Sequence, residues 1–170
     1  MRKFKSMVDT FEKLAEFRRK YNFPEDVEVR YCSEDEAILS KGEDKVVLPL
    51  VAVVEGGVRI PMCDLLTNFL HYFKVCPNQC ILNVFRIISS VDNLNKRLGL
   101  NLTEHDINYM YSFQDSKTSR YYFNIRHREV RLIFGLLNFN KEIEGDYLVI
   151  LGNWYPNGIH CPIKAGKAGR

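Results

Sequence analysis

The stretch GGVRIPMCDLLTNFLHYFKVCPNQCILNVFRIISSVDNLNKRLG, residues 56–99, decides how the rest of the chain is read. It holds a Gly-Gly break, a Val-Arg-Ile-Pro segment and two amphipathic helical patterns joined by a short Cys-Pro turn. In the first, Met62, Leu65, Leu66, Phe69, Leu70 and Phe73 recur at helical spacing and form one stripe. In the second, over 78–98, Cys80, Ile81, Val84, Phe85, Ile87, Ile88, Val91, Leu94 and Leu98 fill an arc of about 180°. That arc is too wide for one neighbour to cover. The spacing therefore predicts a central helix with elements packed on two sides. Asn95 falls inside the arc and needs a backbone partner for its amide, because leaving it buried and unpaired costs about 1–3 kcal/mol.

The boundaries agree with this reading. Gly56 and Gly57 end any preceding helix, Pro61 suits a first turn, Asn78 is a good N-cap and Gly99 a left-handed stop. With only 74–77 between them, the two helices should run nearly antiparallel. The stretch reads as a packing or interaction core, not an active site.

Outward from it, 6–22 predicts a helix with a capping box at Ser6 and Asp9, and Val27, Val29 and Tyr31 alternate as a strand. An acidic loop through Asp44 follows, and 46–55 reads equally as strand or short helix. Thr103 and Asp106 form a capping box opening a helix to about Met110. Residues 113–119 are turn-rich, 120–125 and 147–151 predict strands, 130–137 is apolar, and the tail from Asn157 has no core-forming pattern. The expected fold is α+β: one mainly α-helical domain with a small antiparallel sheet from the C-terminal strands, packed on the 62–98 helix pair. The expected organisation is a basic lead-in at 1–15, a globular domain at 16–155 and a disordered tail at 156–170.

A chain of 170 residues with 46% hydrophobic and 12% aromatic content is enough for one real core. The net charge of +3 does not by itself argue for a nucleic-acid partner. Its distribution is uneven: 1–20 carry seven bases against three acids, and 25–44 eight acids against two bases. Opposite solvated faces are the plain account. Five cysteines, an odd count, and the lack of an apolar leader or membrane-length run lead us to expect reduced thiols in an intracellular protein, nuclear or cytoplasmic.

Several separated motifs occur in a suggestive order: Phe17-Arg-Arg-Lys-Tyr-Asn-Phe-Pro, Gly57-Val-Arg-Ile-Pro-Met, Cys76-Pro-Asn-Gln with Asn83 and Arg86, Tyr121-Tyr-Phe, Gly135-Leu with Asn140-Lys, and Gly152-Asn-Trp. This order resembles the plant transposon domain found near the N-terminus of gypsy-type retrotransposon-associated plant proteins, often ahead of a long coiled coil. The likeness spans roughly 15–155. It departs from the family's pattern at Leu137, Asn138 and Phe139 and again at Ile143 and Glu144. The resemblance implies a transposon-derived scaffold or interaction module, Gag-like in self-associating, with no catalytic residues to carry over. It also implies that the chain is a fragment lacking the coiled-coil extension.

Cys63, His71, Cys76 and Cys80 are the only grouping with zinc-ligand character, but their spacing lacks matched pairs and suits small core cysteines better. We expect no metal and no cofactor. Lys117, Arg120, Arg126, Arg128 and Arg131, interleaved with Tyr121, Tyr122 and Phe123, form a basic-aromatic segment of the kind that holds phosphates and stacks on bases. The candidate contacts are Lys117, Arg120, Tyr122, Arg126, Arg128 and Arg131, with nucleic-acid binding the alternative to a self-associating or protein-binding scaffold. As a strand, the segment would turn Tyr121 and Phe123 to the core. Glu104, His105 and Asp106 read as an exposed first turn favourable to the helix dipole and not as an acid-base cluster. No nucleophile elbow, phosphate loop, metalloprotease pair, aspartic-protease or polymerase signature occurs, so an enzyme is not expected. The expected core comprises Leu66, Phe69, Phe73, Ile81, Phe85, Ile88 and Trp154. No membrane or small-molecule partner is inferred.

Overall fold

The computed structural model describes residues 3–39, 45–117, 120–129, 133 and 145–155. Its elements are α1 (Phe11–Lys20), β1 (Val27–Ser33), α2 (Glu34–Leu39), β2 (Lys45–Pro49), α3 (Leu50–Val54), α4 (Asp64–Phe73), α5 (Leu82–Leu98), α6 (Glu104–Met110), β3 (Tyr111–Asp115), β4 (Tyr121–Ile125) and β5 (Asp146–Gly152). Helices and small antiparallel sheets combine as the α+β reading expects. The C-terminal strands divide between two sheets: β3 pairs with β4, while β5 lies between β1 and β2. Among the described residues no helix is long and apolar enough to cross a membrane.

The sheet β1-β5-β2 separates two cores. Val27, Val29, Val46, Leu48, Leu148 and Ile150 face the main helical core. On the opposite face Cys32, Val47, Tyr147 and Val149 pack with Ala37 of α2. Burial on both faces explains why 146–150 lacks polar alternation. Here the expected acidic loop is corrected: Glu34, Asp35 and Glu36 form the first turn of α2, where carboxylates complement the helix N-terminus. Residues 40–44 lie outside the described residues.

The ambiguous stretch 46–55 is both things in succession, strand to Pro49 and helix from Leu50. Gly56 then lets α3 approach α5, since a Cβ there would lie 2.5 Å from the Ala52 carbonyl oxygen and 2.9 Å from Phe85 Cβ.

At the N-terminus the helix starts later than predicted. Thr10, not Ser6, is the cap, its Oγ1 accepting from Lys13 N–H at 3.3 Å, and Asp9 instead pairs with Lys13 at 2.8 Å. Phe11 is consequently 83% exposed, whereas Phe17 is buried against Tyr21 and Phe23. Phe4 and Val8 are buried too, so the basic lead-in contributes to the core.

In the central pair, Met62, Leu65, Leu66, Phe69 and Leu70 pack against Val84, Phe85, Ile87, Ile88 and Val91 in one core. Ile81 and Trp154 are buried and Phe73 is half-buried against the same core, with Met62 N–H donating to the Trp154 carbonyl at 2.9 Å. Asn78 is not the cap of α5. Residues Pro77–Gln79 form a 3-10 turn, and Ile81 N–H is committed to the Tyr121 carbonyl at 3.0 Å, so the helix begins at Leu82. Gly99 ends it at φ +62°. The Asn95 amide has its partner: it donates to the Leu102 carbonyl at 2.8 Å and accepts Leu102 N–H at 2.9 Å.

The Thr103 box opens α6 as expected, Asp106 accepting Thr103 N–H at 2.8 Å. The turn-rich reading of 113–119 is corrected in its first part by β3. There Tyr111 and Phe113 face Phe69 and Phe123, while Ser112 and Gln114 point the other way.

Candidate binding surface

The fold takes the basic-aromatic segment apart. Tyr121 and Phe123 turn inward: Phe123 is buried and Tyr121 stacks on Phe113 at 5.1 Å. Arg120 is drawn into a clasp between the sheets. Its guanidinium donates to the Asn78 carbonyl and the Tyr147 hydroxyl, both at 3.0 Å, and to Glu34 at 2.8 Å. Burial pushes the Tyr147 hydroxyl above its ordinary pKa, with Arg120 pulling the other way. Arg120 thus serves the scaffold.

Tyr122 lies on the outer face of the hairpin, half-buried, its hydroxyl donating to Gln114 Oε1 at 3.0 Å. Lys117 is exposed at the hairpin turn, the end remote from Arg126 and Arg128. Arg126 is exposed and oriented, its Nε donating to the Asn108 carbonyl at 2.8 Å. Arg128 is exposed, and Arg131 lies outside the described residues.

Around Arg126 the structure gathers side chains that periodicity did not single out. On the outward side of α6, His105 and Tyr109 stand one turn apart. His105 meets Tyr72 of α4 edge-on with ring centroids 5.0 Å apart, and Tyr109 faces His127 at 6.1 Å. Tyr109 is 71% exposed and Tyr72 48%. The four rings form a ridge from the end of α4, along α6, to the residues after β4. Arg126 lies at one end through its bond to Asn108, with exposed Arg128 following His127 in the chain, and exposed Lys74 follows α4 at the other. Acids on the same elements among the described residues include Glu104, 3.8 Å from His105, Asp106, whose carboxylate caps α6, and exposed Glu129. The readable signal was an aromatic residue outside an apolar stripe, as Tyr72 is on α4.

The cysteines go elsewhere. Cys32, Cys76 and Cys80 are buried thiols, and Cys63 lines a cleft of about 150 Å³ with Arg59, Ser89, Asp92 and Lys96. Burial raises the Cys32 thiol to about 11 and pushes Cys63 and Cys80 up as well. Among the described residues no three His, Cys, Asp or Glu side chains come together as metal ligands.

No family model, curated protein or solved structure matches this chain. The likeness to the plant transposon domain therefore rests on motif order alone.

Proposed function

We propose that this protein is a non-enzymatic interaction module whose partner is nucleic acid, held at the ridge end of the fold. The observation that carries the reading is the placing of exposed Arg126 and Arg128 beside exposed rings, a pairing of cations and π faces suited to phosphates and bases. The contact set shifts accordingly from the segment 117–131 as a whole to its C-terminal end. Support for a non-enzymatic role comes from the side chains themselves: enclosed thiols of raised pKa are poor nucleophiles, and Asp106 is engaged as a cap. An intracellular setting fits the reduced thiols of Cys32 and Cys80, and a transposon-derived origin fits the order of motifs. The test is fluorescence anisotropy of labelled nucleic acid across a salt series. Affinity that falls steeply with salt, and falls further in Arg126→Ala/Arg128→Ala, supports the reading, and absent or salt-indifferent binding defeats it.

A second reading, a self-associating scaffold, is favoured by apolar side chains at the turn into α6. Leu98 is 64% exposed and Leu100 44%, close in sequence to the ridge helix. Light scattering over a concentration series tests it: a mass that stays monomeric removes it.

A further inference from the structure

We infer that the ridge formed by Tyr72, His105, Tyr109 and His127 is a stacking platform for the bases of a single-stranded nucleic acid, with Arg126 and Arg128 taking its phosphates. This rests on the nucleic-acid reading above and narrows it to a strand whose bases are free. Three observations carry it.

The rings are out in solvent where a core would have buried them. Phe69, Phe113 and Phe123 show what this chain does with aromatics that serve packing: Phe69 meets Phe113 and Phe123 edge to face at 5.1 Å, Phe113 and Phe123 tilt at 5.5 Å, and Phe69 and Phe123 are buried. Tyr72, His105, Tyr109 and His127, by contrast, are all exposed, Tyr109 at 71% and Tyr72 at 48%. Such a π face accepts any base, because every base has one.

The ridge is also held in place by parts that do not need a ligand. His105 and Tyr109 share one side of a capped helix, and Arg126 is tied to the same helix through the Asn108 carbonyl. The backbone N–H of Arg126 adds a bond to the Met110 carbonyl at 3.2 Å. Rings and cation therefore keep a fixed spacing, which lowers the ordering cost of binding.

Finally, the chemistry of the rings matches a strand better than it matches an apolar protein surface. Two imidazoles and two phenols alternate apolar faces with hydrogen-bonding edges, and guanidinium groups stand at the end of the row. In a duplex the base faces are stacked on one another and cannot reach such a row, so a strand should be preferred.

The experiment compares mixed-sequence single-stranded RNA and DNA with a duplex of equal length, using anisotropy across a salt series. Variants are Tyr72→Ser, Tyr109→Ser and Arg128→Ser, all at exposed positions, with urea midpoints confirming that each stays folded. The expected result is preference for the single strand, a loss of about tenfold for each tyrosine variant with the salt slope unchanged, and a slope lower by about 0.7 in Arg128→Ser. If strand and duplex bind alike, or the tyrosine variants bind as the parent does, the platform is wrong while nucleic-acid binding stands. If no nucleic acid binds at all, both readings fall.

Discussion

Asn83 of α5 binds the backbone of Phe123 in both directions. Its Nδ2 donates to the Phe123 carbonyl at 2.9 Å, and its Oδ1 accepts Phe123 N–H at 3.3 Å. One amide side chain thereby stands in for a neighbouring strand along the edge of β4, next to the Ile81 N–H bond to Tyr121. Removing it leaves two backbone groups without protein partners. Asn83→Ala should cost about 1–3 kcal/mol in urea unfolding, whereas Asn93→Ala at an exposed site of the same helix should stay within about 0.5 kcal/mol. Equal effects would show that the amide does not anchor the hairpin.

Arg120 joins three parts of the fold, and its bonds are unequal in worth. Glu34 is 48% exposed, so that ion pair is worth little, while the Asn78 carbonyl and the Tyr147 hydroxyl lose a donor if Arg120 goes. Glu34→Gln should cost less than about 1 kcal/mol and Arg120→Met about 1–3 kcal/mol. Thermal melts at low and high salt separate the two contributions, since only the Glu34 part is screened.

Stability should fall on the alkaline side. Burial raises the Cys32 thiol from 9.0 to about 11, so the folded state keeps its proton after the unfolded chain has lost it. The contribution is complete below pH 9 and declines as pH climbs towards 11, in the same direction as the raised Cys80 thiol and Tyr147 hydroxyl. Urea midpoints measured through this window in parent and Cys32→Ala should show a shallower fall in the variant. Parallel curves would mean that Cys32 is not enclosed as described.

The cap of α6 links stability to the ridge. Thr103→Ala removes the hydroxyl of the box and should cost about 0.5–2 kcal/mol, read from chemical unfolding. Hydrogen bonds from the Thr103 backbone and hydroxyl hold the Asp106 carboxyl below its usual pKa of 3.8. Its contribution is thus present at neutral pH and lost as acid protonates the folded carboxyl. Because His105 and Tyr109 ride on this helix, Thr103→Ala should also weaken any strand binding, whereas Asn93→Ala should not.

Elements whose signals are local can be read from the residues alone. The stripe of Leu65, Leu66, Phe69 and Leu70, the arc of α5 from Val84 to Val91 though not its exposed end at Leu98, the stop at Gly99 and the Thr103 box each follow from 3.6-residue spacing or from a cap three residues away. Asn95 was legible for the same reason, as an amide trapped in an apolar arc. Strand β5 could be recognised, but its place between two strands from the N-terminal half could not, because its burial on both faces erases alternation.

What the polar and aromatic residues do depends on packing between distant elements. Arg120 and Arg126 are the same residue type in one basic segment, yet one is folded into a clasp and the other faces solvent, because strand register carries Arg120 towards Glu34 and Tyr147, 86 and 27 residues away. In the same way Tyr72 and His105, or Tyr109 and His127, become neighbours only when α4, α6 and the hairpin pack. Helical and cap signals act within a few residues and are written locally. A binding surface is assembled from contacts between distant elements, so its composition is fixed by packing.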